Sequence, residues 1–130
     1  MKDYEAQAEA LVTYIAPIKF IGRRDLVVAV WKMTELFNEK KPDNIKFTKE
    51  VYPAAAKELG KTVDAAQRAI NRSAAFCWKK GRNARLNEII GTVLPEKPNP
   101  SQILLYCAYY ITYRIPYHKA AHEPSLPLLF

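Results

Sequence analysis

Residues 62–81 read Thr62-Val63-Asp64-Ala65-Ala66-Gln67-Arg68-Ala69-Ile70-Asn71-Arg72-Ser73-Ala74-Ala75-Phe76-Cys77-Trp78-Lys79-Lys80-Gly81. This stretch is a helix that carries its own start and stop. Thr62 is placed to cap it, because its hydroxyl can accept an orphan backbone N–H of the first turn. Gly81 is the expected stop, since the residue after a helix often takes φ > 0. At about 100° per residue, Ala66, Ala69, Ile70, Ser73, Ala74 and Cys77 share one small, mostly apolar face. Asp64, Gln67, Arg68, Asn71, Arg72, Ala75 and Lys79 share the opposite face. Amide and guanidinium groups bond adenine and guanine edges bidentately in the major groove. A polar outer face is also the rule for any solvated amphipathic helix, so the face alone decides nothing.

Charge separates the two readings. The chain has 20 Lys+Arg and 13 Asp+Glu, a net of +7. Residues 46–85 hold ten basic residues and three acidic ones, so the whole excess falls there and the remainder balances. A charge excess gathered around one helix is the footprint of a polyanion-binding module. Asp64, Gln67, Arg68, Asn71 and Arg72 are the candidate base readers. Thr48, Lys49, Thr62, Lys79, Lys80 and Arg82 are the candidate phosphate contacts, which position a protein on DNA without specifying sequence.

Working outward, Gly60-Lys61 separates this helix from one that Phe47 and Thr48 lead in and Leu59 ends. Thr48 is its expected N-cap, with Val51, Ala54, Ala55 and Leu59 inward. Pro53 is tolerable there only in a first turn or at a kink. A helix, a short turn with Gly and a polar-faced second helix is the helix-turn-helix arrangement. Further upstream, Tyr4–Ile15 and residues 23–38 read as helices, the second with Leu26, Val30, Met33 and Phe37 inward. A polar loop covers Glu39–Asn44. Downstream, Arg82–Ile90 can add a short helix through Leu86, Ile89 and Ile90. After the Pro-rich 91–100 connection, Ser101 is the expected cap of a last helix to about Tyr113. The result is an all-α, compact bundle of about six helices with a central helix-turn-helix. The helical domain is expected over 1–117, with 118–130 as a tail left unassigned.

A chain of 130 residues is one domain with its own core. Its apolar share of 49% and charged share of 25% are those of an ordinary folded protein. No apolar run is long enough to cross a bilayer, and the first ten residues lack a signal-peptide core. A cytoplasmic location with no membrane partner is the expectation. Cys77 and Cys107 sit among apolar neighbours and read as small buried thiols. An enzyme is not expected. His118 and His122, with Glu123 beside them, have metal-ligand spacing, but Pro116 and Pro124 bracket them and a solvated tail is the preferred reading. No metal site or cofactor is expected, and no phosphate loop, Ser-His-Asp set or Cys-x-x-Cys is present.

The last helix raises a question of assembly. Ile103, Leu104, Cys107, Ala108 and Ile111 form an apolar stripe, and Tyr106, Tyr109, Tyr110, Tyr113 and Tyr117 surround it. A helix apolar or aromatic all round must bury its second side too. A homodimer through residues 101–117 is one answer. The Leu-rich run Leu126–Phe130 folding back within one chain is the other.

Ile21-Gly22, Thr48-Lys49-Glu50-Val51-Tyr52-Pro53, Arg68-Ala69-Ile70, Trp78 with Gly81, and Lys97-Pro98 follow one another at set spacings. Together they resemble a known family, the C-terminal DNA-binding domain of the sporulation initiation response regulator (stage-zero regulator A) of spore-forming Firmicutes. Order and spacing agree over roughly residues 6–114. The resemblance implies a six-helix domain that regulates transcription by binding double-stranded DNA in the major groove through a central helix-turn-helix. Trp78 is expected to be structural rather than a base contact. The family's recognition helix typically shows Val-Glu-Arg-x-Ile-Arg-His, where this chain has Ala66-Gln67-Arg68-Ala69-Ile70-Asn71-Arg72. Arg68 is kept. Gln67 replaces the acid and Asn71 the second arginine; Glu accepts from cytosine, whereas Gln and Asn prefer adenine, so the family's usual target does not carry over unchanged. A receiver domain would need on the order of 100 further residues ahead of this one. The expectation is therefore a stand-alone relative with Met1 as its start, a sporulation-type output domain without a receiver. The alternative is a partner or antagonist of a full-length relative that keeps the fold without productive DNA binding.

Overall fold

Two helices organise the molecule because each carries a long unbroken buried run, Asp25–Val30 in one and Ile103–Tyr109 in the other. In the computed structural model, which describes residues 3–16, 19–40 and 45–120, these are α2 (Arg23–Glu39) and α6 (Pro100–Tyr113). The expected inner residues of α2 are all buried, and Val27, Val28, Ala29 and Thr34 join them. On α6 the whole run from Ile103 to Tyr109 is buried, with Ile111 one turn on. The two pack together at the centre and the remaining helices wrap them. α1 (Tyr4–Ile15) lies on both. α3 (Tyr52–Leu59) and α4 (Val63–Lys80) form the helix-turn-helix against α2. α5 (Asn83–Ile90) closes the end with Leu86, Ile89 and Ile90 buried. A single turn, α7 (Tyr117–Ala120), packs on α5 and α6. It straddles the position where the helical domain was expected to give way to a tail. His122, Glu123 and Leu126–Phe130 lie outside the described residues.

The ends of the helices differ from expectation in three places, each for a local reason. Thr48 does not cap a helix. It lies inside a π-helical turn, Phe47–Val51, that runs into α3 and places Pro53 in the first turn. The capping is done instead by Glu50, whose carboxylate accepts the Lys46 N–H at 3.1 Å. Inside α3 itself Tyr52, Ala55 and Ala56 are buried, while Ala54 and Leu59 are half-buried. Ser101 does not cap α6 either. Asn99 stands at the cap and Pro100 takes the first helical position, where its missing N–H costs nothing. Gln102 Oε1 reaches back to the Asn99 N–H at 2.9 Å.

Gly81 stops α4, though not by taking positive φ. Its φ is −80°. A Cβ there would stand 2.3 Å from the Cys77 carbonyl oxygen and 2.7 Å from that of Ile15. Glycine is required because α1 ends against it. The next residue, Arg82, donates its N–H to the Ile15 carbonyl at 2.8 Å.

Candidate nucleic-acid interface

The turn between α3 and α4 is built from three residues. Gly60 takes the left-handed conformation, φ 67°, and the Lys61 N–H closes back on the Ala56 carbonyl at 3.0 Å. Thr62 then caps α4, its hydroxyl accepting the Ala65 N–H at 3.1 Å. That hydroxyl keeps its own O–H as a donor. Lys61 is turned inward, with Nζ 2.6 Å from Oδ1 of the largely buried Asp25 in the first turn of α2. The ion pair pins the turn to the central helix.

The same central helix fixes α4 at mid-length. Gly22, φ 86°, precedes α2, and a Cβ on it would meet Ser73 Oγ at 2.3 Å. Ser73 donates to the Gly22 carbonyl at 2.7 Å. Beneath α4 the buried residues are Ala66, Ala69, Ile70, Ser73, Ala74 and Cys77, the inner face read from periodicity. Burial pushes the Cys77 thiol up to about 12, so it stays protonated and serves as packing. Trp78 is half-buried against the core, as expected of a structural residue.

The outer face divides into a ridge and a flank. Asp64, Arg68, Arg72 and Lys79 are exposed, with half-buried Ala75 among them. Among the described residues Arg68, Arg72, Lys79 and Lys80 make no ion pair. Asp64 occupies the first turn, where its charge suits the helix dipole. Gln67 and Asn71, one turn apart, are half-buried on the flank. Asn71 Oδ1 accepts the Tyr52 hydroxyl at 3.1 Å, a bond that ties the two helices together. Burial raises the Tyr52 pKa, so the hydroxyl remains a donor.

The candidate phosphate contacts also separate. Thr48 and Lys49 are exposed on the π-helical turn, Thr62 at the start of α4, and Lys79 and Lys80 in its last turn. Arg82 is exposed, but its guanidinium donates to the Thr13 carbonyl at 2.8 Å. Arg85 beside it donates to the Tyr14 carbonyl at 3.2 Å and lies over the Tyr14 ring. Both arginines serve the end of α1. Reading the sequence missed Tyr52 as a partner of Asn71, and the Asp25–Lys61 and Gly22–Ser73 ties. The one signal on offer was the Tyr52-Pro53 pair, quoted for the resemblance and given no role.

A basic-ridged second helix, a three-residue turn and a buried scaffold behind them define a helix-turn-helix DNA-binding domain. Comparison with protein families agrees. The chain belongs to the family described as sporulation initiation factor Spo0A C terminal, whose model matches residues 10–111. The chain is thus a DNA-binding output domain of the sporulation-regulator type. No curated protein and no solved structure matches it. No helix among the described residues is long and apolar enough to cross a membrane.

Proposed function

We propose that the chain binds duplex DNA sequence-specifically, with α4 in the major groove. The observation that carries this is the exposed ridge of Arg68, Arg72 and Lys79 on a helix whose opposite face is wholly buried. Arg68 is the guanine reader and Gln67 supports adenine preference beside it. Lys79 lies roughly 16 Å along the axis from Arg68, far enough to meet phosphate while Arg68 meets a base. Thr48, Lys49, Thr62 and Lys80 complete the phosphate set. Arg82 is left out of it because α1 holds its guanidinium.

The all-round apolarity of α6, which motivated a dimer, is accounted for inside one chain. Tyr106, Tyr109 and Tyr117 are buried, and Tyr110 and Tyr113 are half-buried. We therefore propose one monomer per half-site. Sedimentation of the free chain as a dimer at micromolar concentration would overturn that part.

Selection from random duplex DNA followed by a salt titration tests the main proposal. A defined motif should emerge, and affinity should fall steeply as salt rises because bound counterions are released. Equal affinity at low and high salt, or no binding at low salt, would instead favour the reading as a non-binding partner of a relative.

A further inference from the structure

Away from α4, helices α1, α5 and α6 leave a cleft of about 300 Å³ between them. That is the lower end of the size range of small-molecule sites. Its floor is apolar, from Leu11, Ile89, Ile111 and the ring of Tyr110. Its two ends are polar and unlike. At one end Glu88 accepts the Tyr14 hydroxyl, and Arg85 lies over the Tyr14 ring. At the other end stands Arg114.

Arg114 is unusual in two respects. It caps α6 with φ 60°, and it is the one non-glycine residue with positive φ among those described. A side chain in that conformation costs about 1 kcal/mol or more, and glycine is the usual occupant. Its guanidinium donates to the neutral Gln7 Oε1 at 3.0 Å and has no carboxylate partner among the described residues. A guanidinium carries five N–H donors in a planar fork that matches a carboxylate. An adjoining hollow of about 240 Å³ shares Arg114, Gln7 and Ile111 and extends to Thr112. There the buried Thr112 Oγ1 has no hydrogen-bond partner.

We propose that this cleft is a binding site for a small amphipathic anion, a carboxylate carried on an apolar or aromatic body. The body lies on Leu11, Ile89 and Tyr110, and the carboxylate takes the open donors of Arg114. The Glu88 carboxylate, which accepts the Tyr14 hydroxyl at the other end, repels a second negative charge and so sets the polarity of the ligand. The site also bears on α4. α1, which forms one wall of the cleft, also abuts the end of α4, where its Ile15 carbonyl faces Gly81 and accepts the Arg82 N–H. Ligand binding and DNA affinity are therefore coupled, and by linkage each shifts the other by the same factor.

Titration of the full chain with 4-phenylbutyrate, followed by amide chemical shifts, tests the site. Shifts should cluster at Leu11, Tyr14, Ile89, Tyr110 and Arg114. The neutral analogue 4-phenylbutyramide should bind roughly tenfold more weakly or worse, because it offers no charge to the guanidinium. Arg114→Gly supplies the decisive variant. Glycine suits φ 60°, so the variant should fold at least as well by thermal melt while losing the acid-over-amide preference. Loss of DNA-affinity coupling in the same variant should follow. No cleft-localised shifts by about 10 mM acid, equal binding of acid and amide, or full binding by a folded Arg114→Gly chain would each overturn the proposal. DNA binding without ligand is measured alongside, so failure here is distinguished from failure of the DNA-binding reading.

Discussion

Arg68 and Arg82 are both exposed arginines in a basic segment, yet their guanidinium groups stand in different surroundings. Arg68 projects from the ridge, whereas Arg82 reaches the Thr13 carbonyl. Arg68→Ala should relax preference at one base position and cost about 1–3 kcal/mol of binding to the selected site. Arg82→Ala should leave the salt slope of DNA binding unchanged and lower thermal stability by less than about 1.5 kcal/mol. A slope that drops by about one on Arg82→Ala would make it a phosphate contact after all. Asn71 poses the sharper residue-level question. Its carbonyl already accepts the Tyr52 hydroxyl, so its side-chain orientation is set before DNA arrives. Tyr52→Phe removes that constraint and leaves a half-buried acceptor unpaired, at a stability cost of about 0.5–1.5 kcal/mol. The selected motif should broaden at the one position Asn71 faces. An unchanged motif would remove Asn71 from the readers.

At the scale of elements, regular features were legible and their junctions were not. The inner face of α4 follows from small and apolar residues at helical spacing, and burial matches it residue for residue. The charge excess over 46–85 likewise falls around α4, whose outer face exposes Arg68, Arg72, Lys79 and Lys80. The caps at Thr48 and Ser101 misled because a hydroxyl next to a helix is only permissive. Glu50 and the Asn99-Pro100-Gln102 set were stronger competitors for the same ends. α7 escaped notice because a four-residue turn has no periodicity to read. What holds it is tertiary, since Tyr117 and Ala120 are buried and His118 Nε2 lies 3.2 Å from the Tyr106 hydroxyl. Burial holds the His118 imidazole below its ordinary value of 6.5. The unfolded chain therefore binds this proton more readily than the folded one, and stability rises with pH across that range. The α7 contribution should be complete above about pH 6.5 and should fall as pH drops through that value. Melting temperature against pH for the parent and for His118→Gln reports it, and parallel curves would exclude His118 as the source.

For the whole molecule, polar ties add to the buried inner face of α4 in fastening the helix-turn-helix to the scaffold. Lys61 meets Asp25, Ser73 meets Gly22, and Arg82 meets Ile15. None of these pairs is close in sequence, which is why the site's support was invisible to a reading based on local pattern. The helices could be found one by one, but their fastenings are made only when the chain has closed on itself.

The abutment of Gly81 on α1 has a consequence in time. The two segments are more than sixty residues apart, and such contacts carry a loop-closure cost before they give any return. Most of α4 can wind early from its own local hydrogen bonds, but its last turn acquires a fixed end only when α1 arrives. Trp78 sits in that last turn and Trp31 in central α2, so the chain carries one fluorophore at each stage. In single-tryptophan variants, Trp78 emission should settle after that of Trp31 during refolding. Gly81→Ala, whose Cβ would press on two backbone carbonyls, should delay the Trp78 signal more than the Trp31 signal. Simultaneous signals in the parent would mean that reading helix and scaffold form in a single event.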